Sequence, residues 1–280
     1  MAELNTFNAC PSEQLVGTVC GSRLEYFAGP TLRADSMLAT TLQRDTSTFL
    51  HDTGASRTLV SGKSFIADPT GALFWPAENT LIVADLQLSQ CSYLQGENVI
   101  LPPYDTASAF EKLEDALDRY DPLRVIALGN SFAGYCSDGL SNHQIDWLQD
   151  MMEGREWYWV ASDLPGKPDL IEGAVVPHMM LSGIKFRAAP VRAPVANEIA
   201  GGLHPVAQIS HYGHLVRGRC FVSNGIRMIL PSLGDYSAGT NVLSSAFDPL
   251  LGQGGLFVWY ISQERVSSVA SPQLMEDRAA

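Results

Sequence analysis

Five apolar segments, each ending in a short polar turn, constrain the fold of this chain most strongly. The segments are residues 81–84, 124–129, 157–161, 184–190 and 198–205. Continuous apolar segments of this kind are typical of buried parallel strands, and functional residues of α/β folds collect at the carboxyl ends of such strands. Asp85 follows the first segment directly. The sequence therefore predicts an α/β protein in which five strand ends meet at one edge of a sheet.

Two helices are predicted between these strands. Apolar side chains recur every three or four residues in 105–121 and again in 141–153. Further strands are expected at 64–67 and 72–75, and Asn224 with Gly225 predicts a hairpin. Residues 64–270 are therefore expected to form one domain of alternating strands and helices. Residues 1–63 are expected to be a partly ordered N-terminal arm, and residues 271–280 a frayed tail.

Short motifs at the five strand ends resemble the motif blocks of the calcineurin-like metallophosphoesterases. The resemblance is strongest to their ligase-associated DNA-damage-response branch of phosphoesterases and endonucleases. It extends from about Phe65 to Val269 and includes the flanking segments 73–78, 101–106 and 219–222. The family blocks read Asp-x-His, Gly-Asp, Gly-Asn-His-Asp, a lone His and Gly-His-x-His. The resemblance implies a four-layer αββα sandwich of two mixed sheets.

The motif blocks of this chain are degenerate at the positions where the family binds metal. The resemblance places vestigial ligands, which keep a polar side chain, at Asp85, Gln87, Asn130, Asp163 and His204. Family histidines are replaced by residues without a ligating side chain at Leu164, Ala188 and Gly202.

These losses fall mainly on the second metal of the family, whose ligands include the positions of Ala188 and Gly202. Two-metal catalysis requires a pair of ions about 3.5–4 Å apart that clamp the attacking and leaving oxygens. The sequence therefore predicts that the dinuclear centre is absent, and it identifies no catalytic residue.

A single cation site at Asp85 and His204 is the alternative. Amide oxygens from Gln87 and Asn130 suit a hard divalent cation such as Mn²⁺ or Mg²⁺ better than zinc. However, a bound cation is compensated by less negative charge when a neutral ligand replaces an anionic one. We favour the interpretation that these side chains hydrogen-bond one another and that the protein carries no cofactor.

The charge of the chain bears on its partners. Thirty Asp and Glu residues outnumber 18 Lys and Arg, which gives a formal net charge of −12. Nucleic-acid binding is disfavoured, because phosphate contacts usually require a basic patch. A protein partner is expected instead, with the N-terminal arm as one candidate docking segment. The cationic side chains nearest the motif blocks, which a phosphorylated ligand would use, are Lys185, Arg187 and Arg192.

Other candidate sites are incomplete in the sequence. Ser131 follows a strand as a hydrolase nucleophile would, but no motif supplies its histidine base. His211, His214 and Cys220 have spacing compatible with zinc but lack a fourth ligand. Arg217 and Arg219 make a small basic spot, for which we expect a solvated turn.

We expect a soluble, cytoplasmic protein in a reducing intracellular compartment. The five cysteines are scattered without a Cys-x-x-Cys pair, which favours free thiols. No apolar run approaches the roughly 20 residues that span a bilayer, and the N-terminus does not read as a signal peptide.

Three functions are compatible with these observations. The first is a pseudoenzyme that acts as an interaction or scaffold subunit. The second is a residual metal-dependent phosphoesterase of the DNA-repair-associated nuclease or phosphodiesterase type, which would use one cation at Asp85 and His204. The third is a module that binds a phosphorylated ligand without cleaving it.

Overall fold

The computed structural model describes residues 46–88, 104–132, 140–164, 167–211, 213–234, 239–252 and 255–277. All of these residues belong to one compact unit, residues 45–280.

A seven-stranded mixed sheet forms the first half of this unit. Its strands, in spatial and chain order, are β1 (Ser56–Val60), β2 (Lys63–Ala67), β3 (Leu73–Trp75), β4 (Thr80–Ala84), β5 (Arg124–Leu128), β6 (Glu156–Val160) and β7 (Ala174–Val176). The first four strands pair antiparallel, whereas β4 to β7 pair parallel. Parallel neighbours need a long crossover connection, and helices occupy the connections on either side of β5.

The helices of the described residues are α1 (Thr46–Thr53), α2 (Tyr104–Tyr120), α3 (Asn142–Met152) and α4 (Asp248–Leu251), with 3-10 turns at Pro76–Glu78 and Ser271–Gln273. The predictions of α2 and α3 are confirmed. Ser141 caps α3 through a reciprocal capping box with Gln144. Both helices pack on the outer face of the first sheet, where Phe110 and Leu148 join a core with Val125.

The second half is a mixed sheet, of which the structure describes ten strands. They are β8 (His178–Leu181), β9 (Ile184–Arg187), β10 (Glu198–Ala200), β11 (Pro205–His211), β12 (His214–Ser223), β13 (Arg227–Ile229), β14 (Thr240–Asn241), β15 (Phe257–Ile261), β16 (Val266–Val269) and β17 (Leu274–Met275). The main path runs β14-β11-β12-β13-β10-β9-β8. Strands β9, β10 and β13 run parallel, and β12 with β13 forms the predicted hairpin.

The inner faces of the two sheets pack against each other. Trp75 and Ile126 of the first sheet meet Phe186 and Phe221 of the second in one buried cluster. The outer face of the second sheet carries a third cluster, which α4 and its flanking loop cover in the described part of the chain. The predicted α/β fold with two mixed sheets is therefore confirmed.

Both ends of the folded unit extend beyond the boundaries that the sequence predicts. Strand β1 pairs with β2 and buries Thr58 and Val60, so residues 56–60 belong to the sheet and not to an arm. A five-residue strand with two buried side chains is too short to show a clear period-two pattern. At the other end, β17 pairs with β11 inside the segment predicted to be frayed. Residues 1–45 of the predicted arm lie outside the described residues.

The five strand ends do not share one sheet edge, contrary to the prediction. Strands β4, β5 and β6 end in the first sheet, whereas β9 and β10 end in the second. The sequence shows the parallel runs but not their division between sheets, because that division depends on long-range pairing. The carboxyl ends of the two sets face each other across the sandwich, and Asp85 lies where they meet. No helix among the described residues is long and apolar enough to cross a membrane.

Candidate functional site

Asp85 joins the two sheets through its carboxylate. It follows β4 in a left-handed backbone conformation, with φ of 48°, and its side chain is buried. The backbone N–H of Asn130, beyond β5, donates to Oδ1 at 3.0 Å. The backbone N–H of Gly202, beyond β10, donates to Oδ2 at 2.8 Å. One carboxylate therefore accepts a hydrogen bond from each sheet.

His204 completes the surroundings of this carboxylate. Its Nε2 atom lies 3.2 Å from Asp85 Oδ2, and its side chain is about one-quarter exposed (26%). Burial alone lowers the pKa of His204, but the hydrogen bond to Asp85 and the negative charge of Asp85 raise it by more. The resulting pKa lies above the ordinary histidine value, so the imidazole is held toward its protonated form.

Glycines allow the backbone to close tightly on Asp85. A Cβ atom at Gly129 would lie 2.5 Å from Asp85 Oδ1, and one at Gly201 would lie 3.0 Å from Oδ2. The carbonyl oxygen of Ala188 would lie 3.1–3.2 Å from a Cβ at Gly129, Gly201 or Gly202. Around Ala188 and Gly202, main chain therefore packs against main chain.

Gln87 and Asn130 meet through their backbones. The N–H of Gln87 donates to the carbonyl of Asn130 at 3.1 Å, and φ of Gln87 is 54°. The side-chain Oε1 of Gln87 is buried without a hydrogen-bond partner among the described residues. It lies against Gly234, where a Cβ would be 3.1 Å away.

The third motif block is not bonded to Asp85 in the described part of the chain. Asp163 is exposed in the turn after β6, and no hydrogen bond or ion pair of the described residues joins it to Asp85. Leu164 is partly buried and packs against the core between the first sheet and its helices. Hydrogen bonds and close contacts therefore connect Asp85 with His204 and with the backbone of Asn130, which in turn accepts the N–H of Gln87.

A loop that the sequence analysis did not single out supports the site from behind. The Ser232 hydroxyl donates to the carbonyl of Asp85 at 2.9 Å, and the N–H of Leu233 donates to that of Ala84 at 2.8 Å. Arg219 Nη1 donates to the carbonyl of Ser232 at 2.8 Å and to that of Thr70 at 3.3 Å. Arg219 therefore lies in a strand and anchors a loop. We had expected a solvated turn at this residue. No local pattern marks these contacts, because they connect distant parts of the chain.

The donor set does not fit a dinuclear metal centre. Among the described residues there is no group of three or more His, Cys, Asp or Glu side chains that would hold a metal ion. Backbone N–H groups carry positive partial charge and point at both oxygens of Asp85, which disfavours cations at those positions. Gly202 donates an N–H where the family has a ligand, and Ala188 offers only a carbonyl packed against glycines.

One of the three cations predicted for a phosphorylated ligand is engaged in an ion pair. Arg187 Nε lies 3.1 Å from Glu198 Oε1, and Glu198 is also paired with the fully buried Arg227. Lys185 lies within β9, and Arg192 is exposed in the loop between β9 and β10. The three side chains do not form one anion-binding cluster in the described contacts.

The remaining candidates are separated or enclosed. His214 and Cys220 lie six residues apart along β12, about 20 Å at strand spacing, which rules out a shared zinc ion. Cys220 is a buried free thiol, and its burial raises its pKa well above the ordinary value. The side chain of His211 lies outside the described residues. Ser131 is buried, and its hydroxyl has no partner among the described residues.

Comparison with known proteins adds one result on the fold. The chain is similar to the nuclease MPE from Pseudomonas putida, with a TM-score of 0.56 and 19% sequence identity over 77% of this chain and 100% of that chain. The fold is metallophosphoesterase-like. No family model matches the chain, and no curated protein matches it. At this identity the similarity establishes the architecture alone.

Proposed function

We propose that the protein is a non-catalytic member of this fold that acts as an interaction or scaffold subunit. The observation that carries the proposal is the carboxylate of Asp85. Each of its oxygens accepts a backbone N–H, one from Asn130 and one from Gly202. With His204 Nε2 also 3.2 Å from Oδ2, three of the roughly four acceptor sites of this carboxylate face donors of the chain itself.

The chain itself supplies a further donor to this carboxylate. His204 stands 3.2 Å from Asp85, and the carboxylate raises its pKa. An imidazolium with two N–H donors can satisfy a buried carboxylate without an ion. In this proposal the motif region links the two sheets, and the interaction with a partner uses other surfaces of the protein.

Hydrolysis of bis(p-nitrophenyl) phosphate in excess Mn²⁺ tests this proposal directly. His204→Ala is the matched variant, because His204 is the one family-type histidine retained in the last motif block. We expect the parent protein, the variant and the buffer to give the same rate. Turnover by the parent that disappears in the variant would contradict the proposal and assign a cation to Asp85 and His204.

A residual phosphoesterase with one cation is the second candidate, and two observations favour it. Oε1 of Gln87 is buried without a partner among the described residues. Asp85, Gln87 and His204 all adopt positive φ, of 48°, 54° and 46°, and strain of this kind concentrates at functional sites. Calorimetric titration with Mn²⁺ separates the candidates. The second candidate predicts binding that is lost in both Gln87→Ala and His204→Ala.

A further inference from the structure

The second sheet ends in an edge strand, β8, that offers backbone groups to a further strand. Among the described residues β8 pairs only with β9, through a two-residue turn at Ser182 and Gly183. Both turn residues have positive φ, of 44° and 81°, as a type I′ hairpin requires. Such a turn is closed by a hydrogen bond between the residues that flank it, here Leu181 and Ile184.

The turn determines which backbone groups of β8 are available. Pairs in an antiparallel ladder alternate between hydrogen-bonded and non-hydrogen-bonded. Because Leu181 belongs to a bonded pair, Met179 bonds to β9 as well, whereas the N–H and C=O groups of His178 and Met180 point away from β9. No backbone hydrogen bond outside the strand ladders involves these two residues in the described part of the chain. The edge of β8 therefore presents both donors and acceptors to a further strand.

The outer face of the same edge carries cationic side chains. Lys185 and Arg187 alternate along β9 with Ile184 and Phe186, whose side chains belong to the core between the two sheets. Since side chains alternate along a strand, Lys185 and Arg187 lie on the outer face of the second sheet. Both remain partly exposed there.

One carboxylate stands against three cations on this face. Glu198 of β10 lies next to Lys185 of β9 on one side and next to Arg227 of β13 on the other. Arg187 pairs with one oxygen of Glu198 at 3.1 Å, and Arg227 with the other at 2.6 Å. Lys185 has no ion pair among the described residues. The group therefore has a surplus of positive charge, within a chain whose formal net charge is −12.

These cations are within reach of a strand added to β8. Met180 lies directly opposite Lys185 and is 61% exposed, so it forms an apolar step between the free edge and the lysine. A strand paired with β8 would lie about 9.5 Å from β9, which is twice the spacing between strands. A glutamate side chain on that strand can pack its stem on Met180 and meet the ammonium group of Lys185, because the aliphatic part of a long charged side chain covers apolar surface.

We propose that β8 binds an acidic, extended segment of a partner protein as an additional strand. The backbone of the segment pairs with His178 and Met180, and its alternate acidic side chains face Lys185 across the outer face. The inference names the kind of partner for the interaction function proposed above, and for its biological role it rests on that function.

Other occupants match this edge less well. A second copy of β8 would offer backbone groups but no carboxylate for Lys185, because residues 178–181 contain none. The backbone of a nucleic acid supplies negative charge but no N–H donor for the carbonyls of His178 and Met180. The acidic remainder of the protein opposes an acidic partner only at short range, since charges beyond about 8 Å are largely screened at physiological salt.

The test uses the full-length protein and a fluorescein-labelled nonapeptide of alternating glutamate and threonine, with affinity measured by fluorescence anisotropy. Two further peptides carry N-methyl groups on every glutamate or on every threonine, because alternate N–H groups of a strand face opposite edges. Lys185→Gln removes the cation opposite Met180. Arg57→Gln is the matched control, because it removes an exposed cation from β1, an edge strand of the first sheet.

Hydrogen exchange measured by NMR reports on the edge itself. In the free protein the N–H groups of His178 and Met180 should exchange faster than that of Met179, which bonds to β9. The parent peptide should slow exchange at His178 and Met180 and leave Met179 unchanged. Equally slow exchange at all three residues before the peptide is added would show that another segment already covers the edge, and this result would overturn the proposal.

We expect one of the two methylated peptides to bind at least about tenfold more weakly than the parent peptide, and the other within about threefold. Lys185→Gln should weaken binding by about fivefold and Arg57→Gln by less than about twofold. Equal affinities of the three peptides for the unmodified protein, or equal effects of the two variants, would overturn the assignment. Phosphodiester turnover would overturn the proposed function but would leave this binding result unchanged.

Discussion

At the scale of single residues, the carboxylate of Asp85 is held by donors of the chain itself. Its oxygens accept N–H groups from Asn130 and Gly202, and Nε2 of His204 lies 3.2 Å from Oδ2. The sequence predicts that these polar side chains hydrogen-bond one another, and the geometry agrees for Asp85 and His204. The sequence could not predict these backbone donors, because the residue type does not show which N–H groups point at a carboxylate.

Gly129 tests how tightly the backbone closes on Asp85. Gly129→Ala should destabilise the protein by about 2 kcal/mol more than Gly62→Ala, as measured by urea unfolding. The two glycines have nearly the same φ, 77° and 75°, so the cost of the left-handed backbone cancels. Only Gly129 would place its Cβ 2.5 Å from Asp85 Oδ1, whereas nothing lies within 4 Å of a Cβ at Gly62. Equal costs would show that the close contact is absent.

The imidazole of His204 should titrate above its ordinary pKa in an NMR pH titration. In Asp85→Asn the pKa should fall below the ordinary value, because burial remains while the carboxylate is gone. A folded-state pKa above the unfolded one means that His204 adds stability at low pH. This stability is complete below the unfolded pKa and disappears as the pH rises through the folded pKa. An unchanged pKa in the variant would exclude the pair.

At the scale of elements, the sequence predicted the helices and the hairpin, which depend on residues close together in the chain. The helices α2 and α3 follow from apolar spacing, and the hairpin of β12 and β13 follows from the Asn224-Gly225 turn. The assignment of β9 and β10 to the second sheet depends on pairing between distant segments. The role of Arg219 was missed for the same reason, since its carbonyl partners are far away in sequence.

A buried ion-pair group organises the loop between β9 and β10. Arg227 is fully buried, binds Glu198 at 2.6 Å and donates to the carbonyl of Ala193 at 3.2 Å. Removing one partner of a buried pair costs about 3–5 kcal/mol, because the other charge stays buried. Arg227→Met should lose about 3 kcal/mol in urea unfolding, whereas the exposed Arg57→Met should change stability by less than about 0.5 kcal/mol. Comparable effects of the two variants would contradict the buried arrangement.

At the scale of the whole molecule, two mixed sheets with parallel central strands give a metallophosphoesterase-like architecture. The site joins the two sheets through the carboxylate of Asp85.

The most direct test of this account compares the free energy of unfolding in Mn²⁺ and in EDTA for the parent and for Asp85→Asn. The account predicts that the parent is equally stable in both solutions. Asp85→Asn should lose about 2 kcal/mol in each, because charged hydrogen bonds between the sheets are weakened. A bound cation would instead stabilise the parent by about 2.7 kcal/mol at a hundred times its Kd. Stabilisation of the parent by Mn²⁺ that is absent from Asp85→Asn would contradict the central claim.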